Sequence, residues 1–220
     1  MRRSVLFLLL MLLLTACGVG VAAPHPAGKL RVKVLVLPPD GEPLMGGAAV
    51  VAGGSMLLLG GLNREDLSTS AIWRFRPGER LLLVGHLPLV THDHAAAVDG
   101  GAIWLVGGGD ASGSLPTVLR IVPNGFDAES PGHLPAPLSD VAAGVLGGKV
   151  VVVGGNQSGP SAAILALTPR PFSVQKFGML PLGLRYTAVA PGSLQGGRSV
   201  LFVAGGEGAS GPSKAVFAVD

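Results

Sequence analysis

The chain has 220 residues, 48% hydrophobic and only 13% charged, with 16 Lys and Arg against 13 Asp and Glu. Setting aside Arg2 and Arg3 of the leader leaves 14 against 13, a balance without the basic footprint of a nucleic-acid binder. Cys17 is the only cysteine, which excludes internal disulfides, so a domain of about 200 residues must rely on a buried core.

The N-terminus reads as an export signal. Arg2 and Arg3 precede an apolar run from Val5 to Leu14, and small residues lead to Leu14-Thr15-Ala16-Cys17. The apolar run is about half of the roughly 20 residues a membrane span needs. The tetrapeptide resembles the bacterial lipobox, and the resemblance implies cleavage before Cys17 and diacylation of its sulfur. Two or more acyl chains exceed the two-signal threshold for stable anchoring. Gly18 follows the cysteine where an inner-membrane retention signal would place Asp, so the expected address is the outer membrane if two membranes exist. The expected organisation is a signal peptide over 1–16, a lipidated Cys17 and tether over 17–29, and one domain over 30–220. The expected location is the cell envelope, outside the cytoplasm.

Glycine and proline make up 53 of the 220 residues, and they recur at fixed spacing between apolar runs. Gly-Gly pairs occur at Gly60-Gly61, Gly107-Gly108, Gly154-Gly155 and Gly205-Gly206, spaced by 47, 47 and 51. Leu-Pro pairs at Leu37-Pro38, Leu87-Pro88, Leu134-Pro135 and Leu180-Pro181 are spaced by 50, 47 and 46. Two independent markers thus share one period, the signature of a repeat architecture. Each unit predicts a small apolar strand such as Ala95 to Val98, then a second strand running into the glycine pair. These second strands are Met56 to Leu59, Ile103 to Val106, Val150 to Val153 and Val200 to Ala204. A third strand follows a polar loop, and a weaker fourth leads to the next Leu-Pro. The second strands are apolar without alternation, which predicts burial on both faces.

These four units, with segments such as His94-Ala95-Ala96-Ala97-Val98, resemble the kelch-type β-propeller over residues 31 to 220. Family repeats carry a Tyr after the glycine pair and a Trp six residues beyond, and the units here lack that pair. The resemblance implies an all-β fold of four-stranded blades stacked around an axis. Four units suit four blades, and Leu30 to Leu37 could supply a closing fourth strand to the last one.

Kelch-like folds include copper-radical oxidases, sugar epimerases and binding modules, so fold does not give function. The oxidase needs two tyrosines and a cysteine; this chain has only Tyr186, and the lipobox resemblance assigns Cys17 to lipid. Thr91-His92-Asp93-His94 is the most suggestive polar cluster. His92 and His94 share a strand face and could hold a metal, but two ligands without a third make a weak site, so no metal is expected and His94 reads as making a structural hydrogen bond. Asp140 in the third unit, and Arg185 and Tyr186 in the fourth, occupy the positions that His92 and Asp93 occupy in the second. All should gather at one mouth of the axis, bordered by loops carrying Asn63, Arg64, Glu65, Asp66, Asp110, Asn156, Gln157 and Glu207. Gly206-Glu207-Gly208-Ala209-Ser210-Gly211 fits a dinucleotide pattern but is followed by Pro212 rather than a helix, and reads as a turn. Trp73 and Trp104 lie on apolar strands and read as core.

No nucleophile paired with a base, no acid/base pair and no metal set stands out, and no cofactor is expected. Two readings remain: a membrane-tethered binding or scaffold module with a protein or glycan partner, or a carbohydrate-active enzyme resembling the kelch-type epimerases, acting through His92, Asp93 and Arg185.

Overall fold

The computed structural model describes residues 44–220, which are all-β and antiparallel. The lipobox with Cys17, the tether and the segment Leu30 to Leu37 lie outside the described residues.

The predicted units are present as successive meanders. In the first, β1 (Ala48–Ala52), β2 (Ser55–Leu59) and β3 (Thr69–Phe75) pair in order with the front half of β4 (Leu82–Asp99). From His92 onward β4 pairs instead with β5 (Ala102–Asp110), so it serves as outer strand of one unit and inner strand of the next. The sequence predicts two strands there, broken at Leu87-Pro88; the backbone carries both pairings without a break. The second unit continues through β6 (Gly113–Ser114), a short arm on β5, to β7 (Thr117–Ile121) and β8 (Ala128–His133). The third is β9 (Ala142–Leu146), β10 (Lys149–Val153), β11 (Ala163–Pro169) and β12 (Phe172–Met179). The fourth pairs β13 (Ala188–Ser193), β14 (Ser199–Ala204) and, beyond a small hairpin of β15 (Glu207–Gly208) and β16 (Gly211–Pro212), β17 (Val216–Val219).

The sheets stack face to face, and the core lies between them. Leu57 and Leu59 of β2 meet Ile103 and Leu105 of β5. Trp104 and Val106, on the other face of β5, meet Val150 and Val152 of β10. Val151 and Val153 turn to Leu201 and Val203 of β14. Because side chains alternate across a strand, a strand sandwiched between two sheets must be apolar at every position. This accounts for the unbroken apolar runs of β5 and β10. Trp104 is core, stacked on Phe172 with ring centroids 6.3 Å apart.

The first three glycine pairs are joints between units. Both glycines of every pair have positive φ. The second donates its N–H to the next unit's lead-in segment: Gly61 to Thr91 O at 2.8 Å, Gly108 to Leu138 O at 2.8 Å, Gly155 to Leu184 O at 2.9 Å. A side chain on the first would collide with that same carbonyl. Glycine is therefore required by conformation and by close approach together.

Core clusters fill the first–second, second–third and third–fourth junctions. Among the described residues no sheet pairing and no core cluster joins the fourth unit to the first, so the four-blade ring expected from the sequence is not seen closed.

Candidate functional site

The lead-in residues place the site. Gly46, Asp93, Asp140 and Tyr186 are spaced by 47, 47 and 46 and share a left-handed backbone, with φ of 66°, 52°, 56° and 56°. Their backbones form a staircase. Asp93 N–H donates to Gly46 O at 2.6 Å, Asp140 N–H to Asp93 O at 2.8 Å, and Tyr186 N–H to Asp140 O at 3.0 Å. Glycine and aspartate tolerate this conformation, whereas for a bulky residue such as Tyr186 it is a genuine outlier, held by its surroundings.

The staircase brings side chains of three units together, as their repeat positions predict. The Asp140 carboxyl is buried, close enough to Asp93 and to the Tyr186 hydroxyl to feel both. Burial first, and the Asp93 charge second, hold Asp140 above the usual carboxylate range, partly offset by Arg185. Tyr186 is 54% exposed, with the Arg185 guanidinium carbon 5.2 Å from its ring centroid. Burial, then the charges of Asp140 and Asp93, push the Tyr186 hydroxyl up. Arg185 in turn bonds Glu207 at 3.2 Å, and that hydrogen bond holds its guanidinium charged. Next to this group, His92 Nε2 stands 3.8 Å from Asp93 Oδ2.

His94 does not join them. Its ring is buried and its Nε2 meets Leu59 O at 3.0 Å, leaving Nδ1 buried without a partner. Desolvation lowers its pKa from 6.5 to about 4. A shared metal ion would need His92 and His94 side by side. The structure instead gives His94 to the interior and to the first unit's backbone. No group of three or more His, Cys, Asp or Glu among the described residues is placed to hold a metal.

The sequence reading missed Ser68. Its hydroxyl lies 2.9 Å from His92 Nδ1, a pairing made across 24 residues by the register of β3 against β4. Of the bordering loop residues, Glu207 belongs to the cluster, whereas Asp110 caps its own turn through Ser112 and Asn156 does so through Gly159. A cleft of about 450 Å³ lies elsewhere, between the second and third units, lined by Trp104, Arg120 and Arg170 among others. It shares no residue with the cluster.

No family model and no curated protein sequence matches the chain. Among solved structures the chain is similar to that of YjhT, with a TM-score of 0.67 at 17% identity. The likeness covers 84% of this chain and 63% of that one, so the chain spans less than two thirds of that protein's length. At this identity the similarity is one of fold.

Proposed function

We propose that this protein is a lipid-anchored extracytoplasmic binding module on a kelch-type β-propeller scaffold, offering one axial mouth to a protein or glycan ligand. The observation that carries it is the convergence of Asp93, Asp140, Arg185 and Tyr186, drawn from three units, on one polar patch fixed by a backbone staircase. Ligand sites favour such polar groups on rigid scaffolds. The face-to-face stacking of the sheets and the likeness to YjhT, a kelch-type propeller, support the scaffold. The anchor rests on Leu14-Thr15-Ala16-Cys17 and on the single use of cysteine.

A glycan array and a pull-down from envelope extract, each run with wild type, Tyr186→Ala and Asp140→Asn, test the mouth. Ligands held by wild type and lost by both variants support it; ligands held equally by all three remove the mouth from the account. Mass spectrometry of the mature N-terminus tests the anchor, and an unmodified chain starting elsewhere removes it.

A further inference from the structure

Beside the polar cluster a serine hydroxyl meets a histidine ring. Strands β3 and β4 bring together two Ser–His pairs, and they differ in one respect that matters. Ser70 Oγ lies 3.2 Å from His86 Nδ1 on the exposed side of the sheet, and His86 has no ion pair with a carboxylate among the described residues. Ser68 Oγ lies 2.9 Å from His92 Nδ1 in a part-buried setting, and the opposite ring nitrogen faces Asp93 Oδ2 at 3.8 Å. Serine becomes a useful nucleophile when a base stands within about 2.6–3.2 Å and a third group fixes that base. At 3.8 Å Asp93 acts by charge rather than by a direct hydrogen bond. In the tautomer with its proton on Nε2, facing that carboxylate, the Nδ1 lone pair is free to accept the Ser68 hydroxyl. Asp93 is itself fixed on both sides, by its N–H on Gly46 O and by its carbonyl under Asp140 N–H.

We infer that Ser68 is an acyl-accepting nucleophile, that His92 is its general base, and that Asp93 is a positioning residue acting through His92, in an activity toward small carboxylic esters. The Ser68 oxygen bonds to the ester carbonyl carbon as its proton passes to His92 Nδ1. The bond to the alkoxy oxygen breaks, and that proton leaves with the alcohol. Water then attacks the acyl-serine, giving its proton to His92, and the acid departs as the Ser68 hydroxyl is restored.

The test uses the full chain in detergent with p-nitrophenyl acetate and a fluorophosphonate probe, each adduct located by mass spectrometry and each variant's fold checked by its melting curve. The expected results are an adduct on Ser68 and not on Ser70, abolition by Ser68→Ala, and a fall of about a thousandfold or more in Ser68 acylation with His92→Gln. Asp93→Asn keeps a residue that tolerates the left-handed backbone. It should lower kcat about ten- to a hundredfold and leave KM unchanged, a split that a merely structural role would not produce. Adducts on Ser70 or on lysine, unchanged turnover in a folded Ser68→Ala, or no adduct on a folded wild type each overturn the inference. A chain that still binds its ligand at the mouth while failing this test loses the activity and keeps the binding reading.

Discussion

Leu58 in the first unit and Leu105 in the second stand 47 residues apart, at the same register position of equivalent strands. Leu105 is fully buried and packs against the first unit, whereas Leu58 is half-buried, on the face that β2 turns away from the second unit. Glycines show the same contrast. Gly154 and Gly205 both close a second strand, with φ of 68° and 67°. A side chain at Gly154 would meet the Leu184 carbonyl, while one at Gly205 finds nothing nearer than Ser213 O at 3.9 Å. Burial and steric demand in this fold are set by the neighbouring unit rather than by the local sequence. Interior units should therefore be the ones that fail hardest.

The largest effect is expected at Gly154. Gly154→Ala combines a left-handed backbone with a collision against a carbonyl, and should cost more than about 3 kcal/mol in urea unfolding. Gly205→Ala carries only the backbone penalty, roughly 1–2 kcal/mol. Equal losses would mean that the neighbour does not matter. Next, Leu105→Ala should cost about 3 kcal/mol and Leu58→Ala about 1 kcal/mol, because only the first leaves a sealed cavity.

His94 sharpens the contrast through pH, since it belongs to the second unit and bonds the first. Above about pH 6.5 its ring is neutral folded or unfolded and adds no pH dependence. Between 6.5 and about 4 the unfolded chain takes up a proton that the folded one refuses, so stability falls as pH falls. The loss should reach about 3 kcal/mol below pH 4. It is read as the difference between wild type and His94→Gln, and parallel curves for the two would remove His94 as its source. The smallest effect is expected at Val51, which is 72% exposed on the first unit's outer face. Val51→Ser should stay within about 0.5 kcal/mol, and a larger loss would show that this face is covered.

Much of the fold was legible because the repeat wrote it four times. The glycine pairs, the apolar second strands and the lead-in positions recur at one period, and aligning them was enough to put Asp93, Asp140 and Tyr186 together. What escaped depends on register. Irregular pairing between Thr69 and Ala71 decides which serine of Ser68-Thr69-Ser70 meets which histidine, and no sequence period encodes it. The unbroken run of β4 through Leu87-Pro88 escaped for a related reason. A proline without an N–H is tolerated wherever the ladder asks for none, and only the pairing shows where that is. His92 and His94 looked equivalent as alternate residues of one strand. The left-handed turn at Asp93 between them sends one to the mouth and the other to the interior.

The backbone staircase also has a direction. At every step the later residue donates and the earlier one accepts, from Gly46 to Asp93 to Asp140 to Tyr186. A chain delivered N-terminus first would therefore meet, at each new unit, an acceptor already in place on the unit before it. Nearest-neighbour stacking of this kind lets order spread from any seed. The glycine joints run the opposite way, with Gly61, Gly108 and Gly155 of the earlier unit donating to the later one, so each new neighbour is laced from both sides.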